Sequence, residues 1–204
     1  MSHTVSGNET EKMTAAIHEG IDGSVEALEQ LHGSAALIAE AASVISGCLA
    51  SGGRVLACGN GGSAADAQHF AAELAGRFAF DRAPLPAIAL ATNSSVVTAV
   101  ANDYGYDQVF SRQVAGLASA GDVLLAISTS GTSPSVLEAA RVARESGVKV
   151  IGLTGRNGRD LEALSDVCIA VASAQTPRIQ EGHALVLHLL CEIVEAELFG
   201  VKAE

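Results

Sequence analysis

His69 and Glu73 stand four residues apart just after a glycine-rich turn, Gly59-Asn60-Gly61-Gly62-Ser63. An i, i+4 spacing puts an imidazole and a carboxylate on one face of a helix. Such a pair can ligate a metal or move protons, and it can equally be an exposed pair of marginal energy. The turn before it can hold an anion, because unpaired N–H groups and the positive end of the helix both point there. Asp66 is expected to support the first turn of that helix electrostatically.

A second turn of the same chemical kind reads Ser128-Thr129-Ser130-Gly131-Thr132-Ser133-Pro134. Glycine lets backbone approach an anion, and the hydroxyls donate to its oxygens. Ser133-Pro134 has the pattern of an N-cap followed by proline at the first helical position. A loop that only caps a helix would look the same. Neither turn is a Walker A, since no Gly-Lys-Ser/Thr follows, and the first is not Gly-x-Gly-x-x-Gly, which disfavours a dinucleotide.

Two further clusters carry polar groups. Asn102-Asp103 lies beside Tyr104-Gly105-Tyr106, in an expected loop, and suits either sugar hydroxyls or a simple Asn-Asp turn. Arg178-Ile179-Gln180-Glu181-Gly182-His183 opens a helix that continues through His188. Gln180 and His183 are about one turn apart, whereas Gln180 and His188 are roughly 12 Å apart along the axis. Spacing therefore favours His183 over His188 as the partner of Gln180, and a buried histidine satisfied by one hydrogen bond is the common outcome for either.

Short continuous runs of Val, Ile, Leu and Ala at residues 54–58, 87–91, 122–127, 149–153 and 167–171 read as strands covered on both faces. Helical patterns fall at 63–77, 95–101, 108–118, 133–146 and 178–199. The alternation implies an α/β, doubly wound parallel sheet, with ligands held beyond the carboxyl ends of its strands. Residues 11–50 add two apolar-striped helices, separated near Gly33-Ser34, that must pack on a core or on a partner chain. Residues 1–10 read as a flexible tail and 11–204 as one domain.

The chain has 204 residues, 49% hydrophobic and 17% charged, which is enough for one well-cored domain. A net charge of −11 and few aromatics argue against nucleic-acid and anionic-membrane partners. A phosphorylated ligand would be repelled globally, so its site must be built locally from N–H groups and hydroxyls, with or without one Arg or Lys. No apolar run is expected to reach the roughly 18 residues of a membrane span. Residues 1–12 lack the apolar stretch of a secretion signal. Cys48, Cys58, Cys168 and Cys191 form no C-x-x-C pair and read as free thiols of a reducing, cytoplasmic compartment.

The segment from Gly59-Asn60-Gly61-Gly62-Ser63 through Asp66, His69 and Glu73-Leu74 resembles the signature of the bacterial phosphoheptose isomerases, which are sugar isomerase (SIS) domain proteins. Ala101-Asn102-Asp103-Tyr104-Gly105, Ile127-Ser128-Thr129-Ser130-Gly131 and Arg178-Ile179-Gln180-Glu181 match in the same order. The resemblance implies a five-stranded SIS-type sheet and a homotetramer with active sites at subunit interfaces, the N-terminal helices serving oligomerisation. It implies conversion of sedoheptulose 7-phosphate to D-glycero-D-manno-heptose 7-phosphate, for heptose nucleotides of surface polysaccharides or secondary metabolites. By position, Ser128, Thr129, Ser130 and Ser133 would hold the phosphate, and Asn60, Gly61, Gly62, Asn102, Asp103 and Gln180 would contact the substrate. Glu73 and His188 would be the acid/base pair, and His69, Glu73, Gln180 and His188 the ligands of one Zn2+ per subunit. Here the resemblance selects His188 where spacing favours His183, which becomes structural. Arg77 matches a family position near the site. Pro177 stands where some members carry an acidic residue. The alternatives are a replication-initiator-associating protein of the same fold, disfavoured by the retention of Glu73 and His188, and an isomerase of another sugar phosphate.

Overall fold

Five Val-, Ile-, Leu- and Ala-rich runs form strands in a computed structural model that describes residues 7–200. They are β1 (Val55–Gly59), β2 (Ala87–Ala89), β3 (Val123–Ser128), β4 (Lys149–Gly155) and β5 (Val167–Val171). All neighbours pair in parallel, in the order β2-β1-β3-β4-β5. The helices are α1 (Gly7–Glu29), α2 (Ala35–Ala50), α3 (Gly62–Ala75), α4 (Ser94–Tyr104), α5 (Ser111–Leu117), α6 (Pro134–Glu145), α7 (Arg159–Leu164) and α8 (Thr176–Phe199). Short 3-10 turns at Gln30–Ser34 and Tyr106–Gln108 join α1 to α2 and lead into α5.

Side chains alternate across the sheet and feed two cores. Val55 and Ala57 of β1, with Val123, Leu125 and Ile127 of β3, face a core closed by α2, α3 and α8. Leu56, Cys58, Leu124 and Ala126 face a second core closed by α5, α6 and α7. Both faces of the central strands are therefore dry, as their unbroken apolar runs require. β5 departs from that expectation, since Cys168 is half-buried and Ala170 is exposed. It is an edge strand whose second face meets only the six-residue α7.

In this strand order the chain reverses its winding direction between β1 and β3, and the crevice beyond their carboxyl ends is the ligand position of doubly wound sheets. Gly59 pairs with Ile127, so the two turns of interest leave the sheet side by side.

Several boundaries differ from the sequence reading. Residues 1–6 of the expected tail lie outside the described residues, and Gly7 to Thr10 already belong to α1. α7 was not expected, because six residues carry too little periodicity to stand out beside Asn157-Gly158. Asn102 and Asp103 lie in the last turn of α4 rather than in a loop. The helical segment Asn8–Ala50 is long and apolar enough to cross a membrane by length and composition alone, contrary to expectation. In this fold its second half, α2, buries Ile38, Ala41, Ala42 and Ile45 in the first core.

At the opposite end of the sheet from the crevice, Asp122 is buried and ties three segments. Its carboxylate accepts from the Arg54 N–H at 2.9 Å and the Ser119 N–H at 2.9 Å. Asp122→Ala would leave both donors without that partner, and should cost about 2 kcal/mol of unfolding free energy by urea titration. A change within about 0.5 kcal/mol, the range of inert surface substitutions, would show the carboxylate to be dispensable.

Candidate active site

The turn after β1 is built without room for side chains. A Cβ on Gly59 would stand 2.6 Å from the Ser63 carbonyl oxygen. Gly61 adopts φ +56°, a left-handed conformation that glycine takes without steric cost. A Cβ on Gly62 would lie 2.1 Å from Gln180 Nε2, so glycine there is what lets the Gln180 side chain rest on the turn. Asn60 is held from two sides: its Nδ2 donates to Ser135 Oγ at 2.9 Å, and Tyr106 Oη donates to its Oδ1 at 2.8 Å. Ser135 and Tyr106 were not singled out as site residues, although Tyr106 lies next to the Asn-Asp motif. Asn102 and Asp103 bond to one another at 2.8 Å.

The second turn is a knot of hydroxyls. Ser128 Oγ donates to Ser133 Oγ at 3.0 Å and accepts from the Gly131 N–H at 3.1 Å. Ser130 Oγ accepts from the Thr132 N–H at 3.2 Å and from the Thr132 hydroxyl at 3.0 Å. Ser133 occupies the N-cap position of α6 with Pro134 behind it, but its side chain bonds within the turn and does not cap. Gly131 has φ +67°, and a Cβ there would be 2.2 Å from Gly158 Cα. The Leu161 N–H reaches the Gly131 carbonyl at 3.1 Å, and the Gly155 N–H reaches the Thr129 carbonyl at 3.1 Å. A cavity of about 220 Å³ opens beside Thr129 and Ser130, and Arg156 lines it. Arg156, a cation beside this turn, was not identified from the sequence.

α3 and α8 both start at the carboxyl end of the sheet and run side by side in one direction, Gln180 meeting Gly62 and His188 meeting His69. His69 Nε2 lies 3.0 Å from Glu73 Oε1 and 3.2 Å from His188 Nε2. The two imidazole rings meet edge-on at 5.0 Å between centroids, and Phe78 lies 5.6 Å from the His188 ring. The structure thus joins Glu73, His69 and His188 in a chain of contacts. The 3.2 Å between nitrogens is close to the roughly 3.3 Å edge of a tetrahedral ion with ligands at about 2.0–2.1 Å. Imidazole and carboxylate donors suit zinc. Among the described residues, no three His, Cys, Asp or Glu side chains surround a common point. Gln180, beside Gly62, sits about 10 Å of helix rise before His69 and stands apart from that chain of contacts.

His183 has a different environment. It is fully buried, and its Nε2–H donates to the Thr154 carbonyl at 3.1 Å, leaving Nδ1 without a partner. Burial pushes its pKa down to about 4, the Thr154 contact opposing this only in part. It is five residues from His188, roughly 140° around the helix, so the two rings cannot share one face. The spacing preference for His183 is thereby corrected. Asp66 lies in the second turn of α3, not the first. Burial raises the pKa of its carboxyl, nearby His69 opposes the shift, and one oxygen is buried without a hydrogen bond. Arg77 is exposed, one residue before Phe78.

Residues 21–155 match the SIS domain family model. The chain is 59% identical over 161 residues to a phosphoheptose isomerase of Rhodospirillum rubrum, covering 79% of this chain and 86% of that one. It is 54% identical over 178 residues to a phosphoheptose isomerase of Aromatoleum aromaticum, covering 86% and 90% respectively. The solved structure of a phosphoheptose isomerase from Neisseria gonorrhoeae superposes with a TM-score of 0.82 at 45% identity, covering 92% of this chain and 98% of that chain. The chain belongs to the SIS domain family and, within it, to the phosphoheptose isomerases.

The buried His183 predicts a pH dependence of stability. Its folded pKa, about 4, is below its ordinary value of 6.5, so the unfolded chain takes the proton first. Its effect is absent above about 6.5, and stability falls between there and about 4, by about 3 kcal/mol in all. Urea unfolding from pH 7 to pH 4 should show this loss, and His183→Gln should remove that part of the slope. An imidazole midpoint near 6.5 for His183 by NMR would contradict it.

Proposed function

We propose that this enzyme interconverts the ketose sedoheptulose 7-phosphate and the aldose D-glycero-D-manno-heptose 7-phosphate through an enediol. The observation that carries this reading is the meeting of Glu73, His69 and His188 where α3 and α8 run side by side. Isomerisation removes a proton from C1 of the ketose and delivers one to C2, while a proton moves between the two oxygens. Glu73 takes the C1 proton in our reading and His188 serves as the acid, with the order reversed in the other direction. His69 touches both groups and holds them in register.

The phosphate is assigned to Ser128, Thr129, Ser130 and Ser133; the hydroxyls of Ser128, Ser130 and Ser133 already converge, and Thr129 and Arg156 line the neighbouring cavity. Asn60, Gly61, Gly62, Asn102, Asp103 and Gln180 are assigned to the sugar. Asn60 is oriented for this by Ser135 and Tyr106. His69, Glu73 and His188 would hold one zinc per subunit, which when bound would polarise the substrate carbonyl and its neighbouring hydroxyl, and Gln180, which rests on the Gly62 turn, would have to leave that turn to join them.

A homotetramer is part of the proposal. Met13, Ile17 and Ile21 recur on one face of α1 and are 57%, 60% and 55% exposed, with Val25 next along the stripe. An apolar stripe of this kind is expected to be covered in the assembly. His69 is half-exposed in the single chain, which supports a site completed at a subunit interface. Four free thiols support a cytoplasmic setting, and heptose nucleotide synthesis is the pathway we assign.

The test is aldose formation from sedoheptulose 7-phosphate by the purified protein, with and without a chelator. Turnover should fall on chelation and return with zinc; absence of turnover under every metal condition would sink the reading. Glu73→Gln should lower kcat by a factor of about 10² or more while leaving the circular dichroism and melting profile intact. Wild-type activity in that variant would remove Glu73 from the mechanism.

A further inference from the structure

Arg82 and Glu195 form an ion pair at 2.8 Å whose side chains are only 2% and 1% exposed. Such pairs add little net stability after desolvation, so what this one fixes is the feature to explain. Arg82 donates to the carbonyls of Glu73 at 2.9 Å, Leu74 at 2.8 Å and Gly76 at 3.3 Å. These are carbonyls at the carboxyl end of α3. The guanidinium thus closes the helix that carries His69 and Glu73, one bond falling on Glu73 itself. Glu195 accepts from the N–H groups of Phe78 at 2.9 Å and Ala79 at 2.8 Å. Phe78 is the ring beside His188. Burial would raise the Glu195 pKa, but those two N–H groups and Arg82 outweigh it and hold the carboxyl below its ordinary value.

Glu195 is seven residues after His188 on α8, which returns to the same helix face. One ion pair therefore connects the helix of His188 to the helix of His69 and Glu73. It does so through backbone groups, without either charge reaching the crevice.

We propose that Arg82, anchored by Glu195, is a positioning residue for the isomerisation, setting the separation between Glu73 on α3 and His188 on α8. The proposal rests on the isomerase reading above. Arg82→Lys tests it, because lysine keeps the charge opposite Glu195 but loses the planar fork that spans several carbonyls. The expected result is a kcat lowered about tenfold or more, with KM changed by less than about twofold. The imidazole resonances of His69 and His188 should shift with it, while that of His183, on the other face of α8, stays in place. If Arg82→Lys does not fold, Glu195→Asp, which keeps the charge at shorter reach, should give the same pattern. A folded variant with wild-type kcat, a loss confined to KM or to melting temperature, or unmoved His69 and His188 resonances would overturn the proposal. Failure of the wild-type enzyme to isomerise any ketose phosphate would instead count against the isomerase reading, and the resonance comparison would still decide the positioning role.

Discussion

The site depends on how sharply the chain turns from β1 into α3. Gly59 and the Ser63 carbonyl are so close that no side chain fits between them, and that contact fixes where the helix begins relative to the strand. Burial then fixes its rotation. Ala67, Phe70, Ala71 and Leu74 face the core, so His69 and Glu73 are left at the rim with Asp66 beside them. A helix that started one residue later would be turned by roughly 100° and would carry its imidazole away from α8.

The same logic on α8 gives two histidines opposite fates. Val186, Leu187, Leu190, Cys191 and Val194 anchor the helix in the first core. A Cβ on Gly182 would meet Val171 at 2.7 Å, so α8 lies close against β5 at that point. His183 falls on the dry side and is held neutral, while His188 falls toward α3 and meets His69. Near its start the helix is also tied to α1, since Arg178 donates to the Gly20 carbonyl at 2.6 Å and pairs with Glu181, which in turn accepts from Ser24.

Much of this was legible in the sequence because it depends on local pattern. The five apolar runs became the five strands, with β5 matching residue for residue and the others shifted by one or two positions. Both turns follow central strands as read, and the sheet order places them side by side. What escaped the sequence depends on tertiary register. The choice between His183 and His188 turns on which face of α8 meets the sheet, and helix spacing alone cannot supply that. The family resemblance favours His188, and it is that residue, not His183, that lies against His69. The ends of α4 and the existence of α7 were missed, because a helix continued by packing, or only six residues long, leaves weak signals. Arg82 and Glu195 were passed over because charged residues 113 apart give no hint of meeting.

The contact between Gly131 and Gly158 makes two loops into a single heritable part. The Ser128–Ser133 turn and the stretch from Gly155 to Leu161 are joined by two backbone hydrogen bonds and a contact too close for a side chain. Neither can accept an insertion, or be exchanged with a relative's version, without disturbing the other. A chimaera that crosses over within α6 or β4 would separate halves that were shaped together, whereas one that crosses over after α7 would carry the whole unit intact. Divergence of ligand preference on this scaffold is thus expected to proceed by paired changes in these two loops.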